Sequence, residues 1–192
     1  MKDLIVLLED GFEEIEALTV SDYLRRADIK VDLVSVKDVR EVESAHGVKI
    51  VADYLLDDVK IEEYKGIYIP GGQPGSTNLS NNSKVRELVG MYSTEDKYVI
   101  AICAGPMVLD AAKILKNRKF TCYPGVENRL SVQNRIDKPV VRDENIITAM
   151  GPSIAQILAF ELITLFKDEE TSENVKREVL FNELERDIRK NV

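Results

Sequence analysis

Tyr98-Val99-Ile100-Ala101-Ile102-Cys103-Ala104-Gly105-Pro106 is the stretch that decides the fold. It opens on an unbroken apolar run, the pattern of a strand covered on both faces in a parallel sheet. Ala104-Gly105 makes a small-residue turn, and Pro106 suits the first position of a helix. The helix expected from Pro106 to Leu115 is apolar almost all round, hence buried. Leu4-Ile5-Val6-Leu7-Leu8 is a second run of the same kind, closed by the turn Glu9-Asp10-Gly11. From Phe12 to Ala27 the spacing is helical, with Phe12, Ile15, Leu18, Val20, Tyr23, Leu24 and Ala27 on one side. Strand character returns at Val31 to Val36. Strand, helix and strand in that order form a βαβ unit.

The rest of the chain repeats the alternation. Glu41 to Asp53, with His46-Gly47 inside it, reads as a hairpin or short excursion. Gly66 to Ile69 is a short strand running into Pro70-Gly71-Gly72-Gln73-Pro74-Gly75. Asn78 to Tyr92 reads as a helix, and Lys119 to Tyr123, Val140-Val141 and Ile146 to Ala149 as strands. Pro152 to Phe166 reads as a second strongly apolar helix. The expectation is an α/β domain over residues 1–167, with a mostly parallel sheet and helices on both faces. Residues 168–192 are rich in charge of both signs. Val175, Val179, Leu180, Leu184 and Ile188 give them one apolar stripe, so a terminal helix packed on the surface, or reaching a partner subunit, is expected.

Composition narrows the function classes. The 192 residues carry 26 Lys plus Arg against 34 Asp plus Glu, a formal charge of −8. An acidic chain has no general attraction for nucleic acid or anionic lipid, and neither is expected as a partner. The longest uncharged runs, Tyr98 to Leu109 and Ile146 to Phe160, are shorter than the roughly 20 residues of a membrane helix. The N-terminus shows no signal-peptide pattern, so a cytoplasmic location is expected. Two cysteines and one histidine are too few for a Cys/His structural zinc site, and no metal ligands are assigned.

Cys103 is the sharpest chemical feature. A strand–turn–helix puts its central residue at the carboxyl edge of the sheet, where α/β folds bind ligands. The small neighbours resemble those of a nucleophile elbow. A thiol at a helix N-terminus is expected to ionise easily, and Cys103 more easily than Cys122. The plainer alternative is a buried structural cysteine. Glu16 is the second feature. On a wheel with Phe12 at zero it falls near about 40°, inside the apolar arc. Burial there raises a carboxyl pKa, and the protonated acid can donate to a thiolate. The alternative is a first-turn acid complementing the helix dipole. Pro70-Gly71-Gly72 can present backbone N–H groups to an oxyanion, or serve as an ordinary turn. His46 is the only imidazole, and a lone loop histidine is usually solvated. Side chains alternate along strands, so only one of Cys122 and Tyr123 is expected to face Cys103.

Gly11-Phe12-Glu13-Glu14-Ile15-Glu16, Pro70-Gly71-Gly72, Ala101 to Pro106 and Gly151-Pro152, in this order and spacing, closely resemble the ThiJ/DJ-one/PfpI superfamily and its DJ-one-like branch. The resemblance runs from about residue 2 to 167. It implies a flavodoxin-like three-layer sandwich and a homodimer, with no cofactor. It makes Cys103 the reactive cysteine, Glu16 the acid bonded to it, and the Gly72 and Ala104 backbone an anion pocket, with Gly71 and Pro152 lining the site. Members are described as glyoxalases acting on methylglyoxal, deglycases, peroxide-sensing redox proteins, chaperones and proteases.

The chain departs from that pattern in three places. Ala104 stands where the protease branch has histidine, which disfavours peptidase activity. Tyr123 stands where the best-known members have a histidine near the cysteine. Tyrosine is a poor base near neutral pH, because a phenol ordinarily ionises at a pKa of about 10. His46 aligns with a hairpin position near the dimer interface, which would bring it toward the partner's cysteine. The downstream His and Glu of glutamine amidotransferase relatives are missing. The leading expectation is a cofactor-independent glyoxalase or deglycase acting on an α-oxoaldehyde or glycated adduct. The alternative is a redox sensor or chaperone dimer oxidised at Cys103.

Overall fold

The computed structural model describes residues 2–95 and 97–191. Its nine strands are β1 (Lys2–Leu8), β2 (Val31–Ser35), β3 (Glu41–Glu43), β4 (Lys49–Val51), β5 (Tyr54–Leu55), β6 (Tyr64–Ile69), β7 (Tyr98–Ile102), β8 (Val140–Asp143) and β9 (Ile146–Ala149). Its seven helices are α1 (Glu14–Arg26), α2 (Gly75–Asn81), α3 (Ser83–Thr94), α4 (Pro106–Ala111), α5 (Ala155–Phe166), α6 (Glu169–Glu178) and α7 (Phe181–Asn191).

Seven strands form one sheet in the order β5-β2-β1-β6-β7-β9-β8, parallel except for β8 against β9. The apolar runs explain it. Leu4, Val6 and Leu8 pack into one core with α1 and α5, while Ile5 and Leu7 pack into another with α3 and α4. A strand that must be apolar on alternate residues for two cores is apolar throughout. The predicted α/β architecture is therefore what the chain adopts.

The chain steps from β1 outward to β2, then returns to place β6 on the other side of β1. That reversal opens a crevice beyond the carboxyl ends of β1 and β6. Gly11, after β1, and Gly75, at the start of α2, meet in it, with the Gly75 amide donating to the Gly11 carbonyl at 3.3 Å. A β-carbon on Gly11, whose φ is +85°, would lie 2.4 Å from Pro74 Cδ.

Local expectations needed correction where an isolated residue was asked to set a face or a boundary. Phe12 precedes α1 instead of beginning it. The buried arc of α1 is Glu16, Ala17, Val20, Ser21 and Leu24, which leaves Ile15 on the far side and 52% exposed. The helix expected over 78–92 is two helices, because Asn82 caps α3 through the Val85 amide. The helix at Pro106 ends at Ala111, and Lys113 has a left-handed φ of 63°. Residues 119–123 form no strand beyond a single bridge from Phe120 to Arg135. The helix expected from Pro152 begins with one 3₁₀ turn before α5. The tail is two helices, broken at Leu180 with φ 60°. Val175 is buried in the α1–α5 core, whereas Leu180, Leu184 and Ile188 are exposed. No helix among the described residues is long and apolar enough to cross a membrane.

Candidate active site

Cys103 follows β7 directly and takes φ 61°, a conformation that non-glycine residues seldom adopt. The backbone around it is fully committed. The Cys103 amide donates to the Ala149 carbonyl at 2.9 Å, and the Cys103 carbonyl accepts from the Tyr123 amide at 3.0 Å. Gly105 is crowded by the carbonyls of Ile69 and Ile102, so the turn admits no β-carbon there. These constraints hold a strained elbow that lifts the sulfur out of the strand line at the sheet edge.

Glu16 comes to the same point from α1. It is fully buried, and its Oε2 accepts from the Gly71 amide at 2.7 Å. The Cys103 thiol lies beside the Glu16 carboxyl, whose Oε1 is buried without a hydrogen-bond partner among the described residues, and the backbone of Ala104 and Gly72 borders the sulfur. Gly71 sits at the centre. A β-carbon on it would lie 2.6 Å from Cys103 Cβ, 2.7 Å from Glu16 Oε2 and 2.9 Å from the Ala104 nitrogen. Thus Cys103, Glu16, Gly71, Gly72 and Ala104 converge as a group.

Burial pushes the Glu16 carboxyl up to about 7, against the pull of the Gly71 amide and Cys103; the charge of Glu13 adds to the rise. Burial also raises the Cys103 thiol, and the neighbouring Glu16 charge raises it further; the Ala104 and Gly72 amides act in the opposite sense. Burial lifts Cys122 to about 11, with Glu127 adding to it. Burial and the Glu16 carboxyl thus oppose the easy ionisation expected of Cys103 at a helix N-terminus. A thiol of that kind needs a base, and a carboxyl near 7 is matched to the task.

Tyr123 is half-exposed and touches the site through its backbone; its ring lies over Gly151, at the position a β-carbon would contact at 3.1 Å. Cys122 is buried on the other side, in the α3–α4 core. Pro152 opens the 3₁₀ turn after β9 at the same sheet edge. His46 is not brought to Cys103 of its own chain. Its Nδ1 lies 3.1 Å from both carboxylate oxygens of Glu14 and 3.7 Å from Glu13 Oε2. Tyr68 is a site residue that the sequence pattern alone does not single out. Its buried hydroxyl donates to the Glu16 carbonyl at 3.0 Å, which fixes the first turn of α1. The available signal was a tyrosine between Ile67 and Ile69 in a buried stretch of β6, where a hydroxyl must find a partner.

The fold and this cluster define an α/β protein with a cysteine on a strained strand–helix elbow, paired with a buried acid. The chain belongs to the DJ-1/PfpI family, whose profile matches residues 2–165. It is 31% identical over 182 residues to protein dj-1beta of Drosophila melanogaster, covering 93% of this chain and 97% of that one. It is 32% identical over 164 residues to DJ-1 homolog B of Arabidopsis thaliana, covering 85% of this chain and 37% of that protein. The chain thus spans well under half of the two Arabidopsis relatives, 37% and 42% of their lengths. The solved structure of Drosophila DJ-1beta superposes with a TM-score of 0.89 at 30% identity, over 93% of this chain and 97% of that one. That of oxidized Toxoplasma gondii DJ-1 gives 0.88 at 31%, over 94% and 98%.

Proposed function

We propose that the chain is a cofactor-independent enzyme of the glyoxalase or deglycase type, acting on α-oxoaldehydes through Cys103 and Glu16. The observation that carries this reading is the thiol of Cys103 against the Glu16 carboxyl, under the amides of Ala104 and Gly72. With methylglyoxal, the Glu16 carboxylate takes the thiol proton as the sulfur adds to the aldehyde carbon. The proton passes to the carbonyl oxygen and completes a hemithioacetal. Glu16 then removes the proton from that carbon and returns it to the neighbouring ketone carbon, while the hemithioacetal hydroxyl proton passes to the former ketone oxygen, giving a 2-hydroxy thioester. Water cleaves the thioester, releasing the 2-hydroxy acid and restoring the thiol. The oxidation at one carbon is balanced by reduction at the next, so no external redox partner enters. The two amides stabilise the charged sulfur and the oxyanions beside it. Tyr123 and Pro152 border the entrance in this reading, and the active form is a homodimer.

The deciding experiment is methylglyoxal loss and lactate formation by wild type beside Cys103→Ala and Glu16→Gln. Turnover absent from both variants supports the proposal. Equal turnover in wild type and Cys103→Ala removes it.

A second reading rests on the difference in exposure between the thiols: Cys103 is partly exposed and Cys122 is buried. In a redox sensor, hydrogen peroxide takes the Cys103 thiolate to sulfenate with loss of water, and a second equivalent gives sulfinate. Stepwise oxygen addition confined to Cys103 by mass spectrometry, in a protein without turnover, favours that role.

A further inference from the structure

Among the described residues, one group of chelating side chains lies apart from the Cys103 cluster: Glu13, Glu14 and His46, with a ligand atom from each within 4.8 Å of the others. The hairpin of β3 and β4 carries His46 over the start of α1. A bridge from Phe12 to Ser44 and the Ala45 amide bonded to the Phe12 carbonyl at 2.8 Å pin the two segments together. The Ser44 side chain also lies beside the Glu14 carboxylate. Glu13 is the unusual member. It is only 9% exposed, its side chain makes no cap hydrogen bond to α1, and its Oε2 lies 3.7 Å from His46 Nδ1, an ion pair when the imidazole is protonated. A nearly buried carboxylate is expensive unless it is paired, and either His46 or a metal ion held with it can serve as the partner.

We propose that Glu13, Glu14 and His46 bind a divalent transition metal of the zinc class at the rim of the Cys103 site. Imidazole nitrogen with two carboxylates is a donor set suited to such an ion. Bonds of about 2.0–2.1 Å in a tetrahedral site put neighbouring ligand atoms about 3.3–3.4 Å apart. The His46-to-Glu14 separations of 3.1 Å and the His46-to-Glu13 separation of 3.7 Å bracket that edge. Three protein ligands leave one position open for water or an added ligand. The Glu13 backbone amide donates to the Gly71 carbonyl at 2.9 Å, so a metal at Glu13 is tied to the loop that cradles Cys103.

The test is calorimetric titration of zinc chloride into chelator-treated full-length protein, with cobalt(II) spectra as a second probe of the ligand set. The expected result is one zinc per chain in wild type and in Cys103→Ser, with no sulfur-to-cobalt charge-transfer band. Affinity drops by about tenfold or more in His46→Ala and in Glu13→Gln. Both positions are outside the cores, and unchanged melting temperatures identify the loss as one of ligands. The proposal is overturned if wild type takes up no zinc, if His46→Ala binds as wild type does, or if binding disappears in Cys103→Ser.

Discussion

The Gly71 amide donates to Glu16 Oε2 at 2.7 Å, and the same glycine leaves the space in which Glu16 and Cys103 meet. Gly71, two residues after β6, therefore does two things for the site. Its N–H orients the carboxyl, and its missing side chain permits contact between the carboxyl and the thiol. The Pro70-Gly71-Gly72 loop is more specific than a simple turn at the end of a strand.

Gly71→Ala is accordingly expected to disturb chemistry and stability together. The added β-carbon meets Cys103, Glu16 and the Ala104 backbone at 2.6–2.9 Å, and the last of these has no flexible end to give way. Overpacking of this kind costs about 1–3 kcal/mol. Denaturant unfolding reads the stability, and iodoacetamide labelling of Cys103 reads the site. A variant that unfolds and labels like wild type contradicts the packing described for this loop.

The buried Glu16 carboxyl gives a pH signature with a definite sign. Its folded-state value is raised from 4.5 to about 7, so the folded state binds the proton more tightly than the unfolded chain does. Its stabilising contribution is complete below pH 4.5 and is lost as pH rises through about 7. At about 1.4 kcal/mol per unit, the swing is about 3 kcal/mol. Relative to Glu16→Gln, chelator-treated wild type should lose stability between pH 4.5 and 7, then run parallel above. Urea midpoints across pH 4.5 to 8 measure it. Parallel profiles through the whole range would place Glu16 in a far more solvated setting than the one described.

Tyr68→Phe isolates the hydroxyl that anchors α1 at the Glu16 carbonyl. The ring stays in the core, and one buried hydrogen bond is lost, at a cost of about 1 kcal/mol. The Glu16 carbonyl keeps its place in the helix, so the expected effect is on stability first, with a smaller drop in Cys103 labelling through looser positioning of Glu16. Chemical denaturation and labelling kinetics on the same samples separate the two. A variant as stable as wild type would mean that water replaces the hydroxyl.

Much of the architecture could be read from the sequence because β1 and β7 are buried on both faces, and such strands announce themselves as unbroken apolar runs. The Cys103 elbow and the placement of Glu16 in the apolar arc were legible for the same reason: each is a residue type that contradicts its surroundings. What was not legible depends on distance in space. The rise of the Cys103 thiol pKa depends on burial and on Glu16 lying against it, and the meeting of His46 with Glu13 and Glu14 turns on where a hairpin folds back. Ile15 misled because Phe12, taken as the reference for the helical face, lies outside the helix. The break at Leu180 has no glycine or proline to mark it, so two helices looked like one.

That break divides the tail into parts of unequal weight. Val175 is 3% exposed against α5, and the Ser172 hydroxyl donates to the Phe160 carbonyl at 3.0 Å, so α6 belongs to the core. Beyond it, Phe181 stacks edge-on against Phe160 at 4.8 Å between centroids, but Leu184 and Ile188 are 49% and 54% exposed. A chain ending at Phe181 should unfold within about 0.5 kcal/mol of the full protein, the range of surface changes. A chain ending at Lys167 should lose about 2–4 kcal/mol, from the buried valine and the lost hydrogen bond. Denaturant midpoints of the two truncations decide the matter. Equal losses would make α7 a structural partner of α6, and no loss in the shorter chain would detach both helices from the core.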